Sequence, residues 1–180
     1  MALRVAFLRG MNVGGHRVKM GELRALFEDA GFTDVSTFIA SGNVIFEGGR
    51  ADAADQEHAI EGFLAAALGY EVATFVRSFP ELHEIASVPP FAAEELADPS
   101  WALHVMFLRA PAEDAVREAL RALESDRDEF RFHGREAYWL SRGKMSESPL
   151  FRGPLAKATA DLPHTARSIK SLRKLLAKHG

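Results

Sequence analysis

The sequence predicts an α+β protein, and three observations carry that reading. Strand-sized apolar runs alternate with amphipathic helical stretches along the whole chain. Over the first ninety residues their order is β-α-β-β-α-β. The opening Val5-Ala-Phe-Leu-Arg9 is then echoed by Val105-Met-Phe-Leu-Arg109, where a similar order begins again. Together these predict a duplication: two ferredoxin-like β-α-β-β subdomains, mainly antiparallel sheets with helices packed on one face, plus a C-terminal helix.

Leu3–Leu8 is apolar on both faces, which marks a central strand. A loop, Arg9–Lys19, leads to a helix over Met20–Ala30 with Met20, Leu23, Leu26 and Phe27 as its inner stripe and Gly31 as its stop. Strands Asp34–Phe38 and Asn43–Glu47 follow, joined by Ile39-Ala-Ser-Gly42. Asp52 is placed to cap a helix over Ala53–Leu68, which buries Ile60, Phe63, Leu64 and Ala67 and ends at Gly69. A strand over Glu71–Arg77 completes the first subdomain's sheet. Ser78-Phe-Pro-Glu81 reads as a capping box for a short helix that Pro89-Pro90 stops.

The expected division is subdomain 1 over 1–90, a linker over 91–100 and subdomain 2 over 101–180. The second half predicts a strand Leu103–Arg109, a helix Ala112–Leu123 behind Pro111, and a hairpin of Glu129–His133 and Glu136–Ser141 around Gly134. Beyond Ser141 the repeat is expected to degenerate into loop and helix. It closes with a basic amphipathic helix over Thr165–Lys178, whose outer stripe is Arg167, Lys170, Lys174 and Lys178.

Composition narrows the function classes. The 180 residues are 47% apolar and 26% charged, ordinary for a globular protein. There is no cysteine, which excludes disulfides, thiolate metal sites and a cysteine nucleophile and fits a reducing, cytoplasmic setting. No apolar run approaches the ~18 residues of a membrane helix, and the N-terminus runs straight into a strand without a signal peptide. Residues 1–100 carry a net charge of −8 and residues 101–180 one of +5. The basic C-terminal part can attract a phosphate-bearing partner or dock on the chain's own acidic half.

The segment with chemical content is Arg9-Gly-Met-Asn-Val-Gly-Gly-His-Arg-Val-Lys19. Gly10, Gly14 and Gly15 allow a ligand to approach the backbone closely. Arg9, Arg17 and Lys19 add positive charge beside the start of a helix, so the ingredients are those of an anion site. The spacing is neither that of a phosphate-binding P-loop nor that of a dinucleotide fold. In an antiparallel plait, strand 1 ends where the following hairpin turns, so Ser41 and Asn43 should meet this loop. Ser-Gly-Asn is also plain hairpin chemistry, and Asn12 also suits tying its own loop.

Catalytic signatures are poor. The seven histidines are scattered without metal-ligand spacing, there is no nucleophile elbow, and the residues assign no reaction, cofactor or metal. Nucleic acid is a rival partner because RNA-recognition modules share the plait. However, Asn43-Val-Ile-Phe-Glu47 lacks their aromatic-rich pattern.

The stretch Phe7-Leu-Arg-Gly-Met-Asn-Val-Gly-Gly15, with Lys19-Met20, Leu23-Arg24 and Ser41-Gly-Asn-Val44, closely resembles the bacterial domain-of-unknown-function 1697 family. The resemblance implies two ferredoxin-like subdomains and no established activity, substrate or cofactor. It also implies a Thr-x-Arg-Asn-Trp stretch before the last helix. Here that stretch reads Thr165-Ala-Arg167-Ser168-Ile169, keeping the arginine and replacing the amide and the indole. The leading expectation is therefore a site for a small phosphate-bearing ligand built from Arg9, Gly10, Asn12, Gly14, Gly15, Arg17, Lys19, Ser41 and Asn43, with Arg167 as a further wall. The alternative is a nucleic-acid or protein interaction module using the basic C-terminal helix.

Overall fold

The computed structural model describes residues 3–12, 14–39, 42–49 and 51–180. By its contacts the chain forms two compact units, Met1–His83 with Leu175–Gly180, and Glu84–Lys174. Each unit carries one four-stranded antiparallel sheet.

The first unit runs β1 (Leu3–Leu8), α1 (Met20–Asp29), β2 (Ser36–Thr37), β3 (Asn43–Glu47), α2 (Ala53–Leu68) and β4 (Thr74–Ser78), and then enters α3 (Phe79–Ser87). The sheet order is β2-β3-β1-β4, the ferredoxin-like plait. Ala6, Leu8, Val44, Phe46 and Val76 form one face of the sheet and share a core with Leu23 and Phe27 of α1 and Ile60 and Leu64 of α2. Successive strand residues alternate faces, and Val5, Phe7, Ile45 and Phe75 are buried on the other side. Asp52 caps α2 by accepting from Asp55 N at 2.8 Å, and Gly69 ends it in the left-handed conformation. Ser78 and Glu81 form the expected capping box, with Glu81 Oε2 accepting from Ser78 N at 2.7 Å.

β4 lies at the edge of its sheet, so its outward N–H groups need partners from elsewhere. Helix α2 supplies them. Val76 N donates to Glu57 Oε1 and Thr74 N to Glu61 Oε1, both at 2.8 Å. Glu57 also faces the buried Arg77 guanidinium at 3.8 Å. That explains why a carboxylate of α2 is buried on its inner face. Arg4 Nη1 donates to Gln56 Oε1 at 2.6 Å, and Gln56 donates to Gly48 O.

The second unit repeats the plan more fully than the sequence suggests. After the end of α3 come β5 (Ala102–Leu108), α4 (Asp114–Arg121), β6 (Asp128–His133), β7 (Glu136–Ser141), α5 (Pro154–Ala158) and β8 (His164–Ser168), followed by α6 (Ile169–His179). The order β6-β7-β5-β8 is the counterpart of β2-β3-β1-β4. Val5 pairs with Arg77 as Val105 pairs with Arg167. The expected degeneration is therefore corrected: Thr165–Ser168 is the fourth strand, and the last helix begins only at Ile169. Ser168 caps it, accepting from Ser171 N at 3.1 Å as Ser78 accepts from Glu81 N. Strand β2 is also shorter than expected, because left-handed Asp34 and Ile39 bracket it.

The stretch expected as a linker, 91–100, packs within the second unit. Phe91 is buried under the Arg131 guanidinium, 4.3 Å from the ring centroid, and Arg131 Nη2 pairs with Glu95 Oε1 at 2.6 Å. Register makes His104 the counterpart of Arg4, since Arg4 stands opposite Ser78 and His104 opposite Ser168. Among the described residues His104 Nδ1 is buried without a hydrogen-bond partner, and burial depresses the imidazole pKa to about 4.

Two predictions follow from these contacts. Glu57→Ala removes the acceptor for Val76 N and the counter-charge beside Arg77, and should cost about 2–4 kcal/mol in urea unfolding. His104 takes up a proton more readily unfolded, with pKa near 6.5, than folded, with pKa about 4. Its contribution to stability is therefore complete above pH 6.5 and is lost as pH falls through that window. Thermal unfolding between pH 7.5 and 4 should show that slope, and His104→Gln should flatten it.

Candidate functional site

The Arg9–Lys19 loop is anchored at its base. Arg9 N donates to Ala73 O at 2.9 Å, extending the β1–β4 pairing by one residue. Met11 is buried in the first unit's core, and Val18 packs against the same cluster. Asn12 Oδ1 accepts from Val18 N at 3.2 Å and so ties the two sides of the loop together. Above this base Gly14, Gly15, His16 and Arg17 are exposed. The His16 ring stacks on Tyr70 with centroids 4.0 Å apart, and Tyr70 Oη donates to Met11 O at 3.4 Å. Val13 lies outside the described residues.

The β2–β3 turn meets this loop. Leu8 N donates to Gly42 O at 2.8 Å, and the site of a Cβ on Gly42 lies 3.2 Å from Leu8 Cβ and 3.3 Å from Met11 Cγ. Gly42 has φ +75°, so this contact demands glycine for its conformation and for its closeness. Ser41 lies outside the described residues. Asn43 is 2% exposed, and its Nδ2 donates to Phe38 O at 2.9 Å, so its amide serves the hairpin.

The cations are differently placed. Arg9, Arg17 and Lys19 are exposed, and among the described residues their side chains make no hydrogen bond or ion pair. Gly10, Gly14 and Gly15 all have positive φ, and open space surrounds a Cβ at Gly14 and Gly15. The start of α1 is already acidic. Glu22 sits in its first turn, and its Oε2 accepts from Lys19 N at 3.1 Å. The helix end therefore adds less to an anion site than the sequence suggests, leaving the glycine backbone and the cations.

Arg167 belongs to the second unit, on β8. Its Nη1 donates to Thr165 Oγ1 at 2.8 Å and to Ala166 O at 2.9 Å, and burial lowers its pKa to about 10. Arg77 is its counterpart in the first unit, donating in the same manner to Val76 O at 2.8 Å. Sequence reading passed over this pairing, although an Arg-Ser dipeptide follows each echoed strand, as Arg77-Ser78 and Arg167-Ser168.

A small ferredoxin-like unit with an anchored, glycine-rich, cationic loop at one end of its sheet is thus the class of module that the first half defines. The chain belongs to the family described as protein of unknown function, DUF1697, whose model matches residues 1–138. The match ends inside β7, before the altered Thr165–Ile169 stretch. Among solved structures, the conserved bacterial protein SP0830 from Streptococcus pneumoniae is similar over 99% of this chain and 98% of its own, with a TM-score of 0.80 and 22% identity. This likeness shows the fold. An unknown protein from Galdieria sulphuraria aligns over 93% and 97% of the two chains at 11% identity and a TM-score of 0.26. No curated protein matches the chain. No helix among the described residues is long and apolar enough to cross a membrane.

Gly42→Ala tests the junction of loop and turn. It imposes a left-handed non-glycine residue and crowds Leu8 and Met11, and should lower stability by about 1–3 kcal/mol in denaturant titration. Gly14→Ala, strained but uncrowded, should cost less.

Proposed function

We propose that the protein binds a small phosphate-bearing molecule at the Arg9–Lys19 loop. The observation that carries this reading is the contrast between the loop's base and its rim. The base is fixed by Met11, by Asn12 on Val18 N and by Leu8 N on Gly42 O. The rim offers Arg9, Arg17 and Lys19 without side-chain partners among the described residues, next to the open backbone of Gly14 and Gly15. Fixed cations that spend nothing on internal pairing keep their charge-assisted hydrogen bonds for a ligand. The stacked His16 and Tyr70 add a flat aromatic surface beside the glycines.

The expected basic stripe of Arg167, Lys170, Lys174 and Lys178 supports a nucleic-acid reading less well, because it is not one exposed row: Arg167 is buried on β8, and Lys178 lies over the Phe38 ring at 5.9 Å.

Thermal-shift titration with a panel of nucleotides and sugar phosphates tests the proposal. At least one should raise the melting temperature. Arg9→Ala should weaken its binding about tenfold or more, the loss of one guanidinium–phosphate pair worth about 1.5–3 kcal/mol, while the unliganded melting temperature stays close to that of the parent. Absence of any stabilising phosphate compound, or a shift that survives Arg9→Ala, would remove the proposal.

A further inference from the structure

The two units cover their sheets differently. In the first, α2 spans sixteen residues, and Gln56 on it meets Arg4. Its counterpart α5 spans five, preceded by short 3-10 turns at Met145–Glu147 and Pro149–Arg152. Leu150, Leu155 and Ala158 from these segments pack against Met106, Leu108 and Trp139. No residue of α5 hydrogen-bonds to His104, the residue at Arg4's position.

Around His104 the second unit instead has a cleft of about 920 Å3, lined among the described residues by ones between Leu96 and Arg173. That is far above the voids a packed interior leaves, and it lies in the range that encloses a drug-sized molecule. Trp101 and Met145 give part-exposed apolar wall, Leu103, Leu140 and Ile169 are buried in it, and Phe151, 58% exposed, stands on its lining. His104, neutral at pH 7 because burial depresses its pKa to about 4, also lines the cleft.

The charges around the cleft are unbalanced in use. Its two carboxylates are both engaged. Asp98 accepts from Ser100 N and Ser100 Oγ at 2.9 and 2.7 Å, which holds its pKa below the usual range. Glu147 pairs with Lys144 at 3.5 Å and Arg127 at 3.8 Å. The cations on α6 keep donors in reserve. Lys170 Nζ makes one contact, to Pro99 O at 3.3 Å, and Arg173 turns Nε and Nη2 onto Ala86 O and leaves Nη1.

We propose that this cleft binds a small molecule with an apolar body and a carboxylate head, the body against Trp101, Met145 and Phe151 and the head at Lys170 and Arg173. This site is built from second-unit residues alone and does not depend on the phosphate-binding reading of the first-unit loop.

Titration of the full chain with decanoate, below its micelle-forming concentration, tests the assignment. Tryptophan fluorescence and thermal shift both serve as readouts, since Trp101 lines the cleft. Decanoate should bind saturably with one site per chain, and decan-1-ol and decyltrimethylammonium should bind about tenfold or more weakly. Lys170→Glu should remove that preference, and Ala102→Trp, which puts an indole into the cleft lining, should abolish binding. Arg9→Ala should leave decanoate binding unchanged. If Ala102→Trp fails to fold, the location is read by NMR. The Trp101 indole N–H should then shift on decanoate addition more than that of Trp139, which is hydrogen-bonded to Asp128. Failure of decanoate to saturate by about 1 mM, equal binding of all three decyl compounds, undiminished binding by Lys170→Glu, or an unmoved Trp101 signal would overturn the proposal.

Discussion

The first unit depends on one contact: Glu57 of α2 reaching around the sheet edge to accept from Val76 N at 2.8 Å, with the Arg77 guanidinium 3.8 Å away. An edge strand presents a row of N–H and C=O groups that must be paired or hydrated. Here the covering helix pairs them. Glu61 does the same for Thr74 N, and Glu81 of the next helix for Ser78 N. Three carboxylates thus complete a strand that has no neighbour on one side. This ties the position of α2 to the sheet by direction as well as by the non-directional burial of Ile60 and Leu64.

In the second unit Glu124 Oε1 accepts from Phe130 N on edge strand β6 at 2.8 Å. Among its buried polar groups, Asp128 accepts from Trp139 Nε1 at 2.7 Å and Ser148 Oγ at 2.8 Å and so ties β6, β7 and the 3-10 segment together. Arg142 and Arg131 converge on Glu129 at 2.8 and 2.7 Å, and Arg131 continues to Glu95. These pairs hold the segment 91–100 to the sheet. They are only partly buried, so they act more by fixing geometry than by adding large stabilisation. Replacing a sixteen-residue helix by a five-residue one is compatible with the same strand order, because the register of β5 with β7 and β8 carries the sheet.

The loop after β1 shows how a strand end becomes a platform. Burying Met11 and bonding Leu8 to Gly42 place the chain's most cationic short loop on a fixed base, while its glycines remain at the surface. Loops that stay ordered without burying their tips are the usual carriers of recognition.

Much of this architecture was legible in the sequence, and for identifiable reasons. The limits of β3 and α2, the Asp52 cap, the Gly69 stop, the Ser78–Glu81 box and the Gly134 hairpin are set by neighbours within a few residues. The echo of Val5–Arg9 in Val105–Arg109 announced the duplication, and the matching registers show it in space. The meeting of the first loop with the β2–β3 turn followed from topology alone. What local pattern could not supply was anything decided across the chain. Thr165–Ser168 reads as the start of an amphipathic helix until β5, some sixty residues earlier, offers it a partner. Asn43 reads as a ligand-facing amide until the fold buries it on Phe38 O. The cleft around His104 has no motif, because its lining comes from segments spread between Leu96 and Arg173. Periodicity and capping are short-range properties and travel with the sequence. Strand pairing, burial of a polar group and the space beside it are set by which distant segments arrive, and only the tertiary structure decides them.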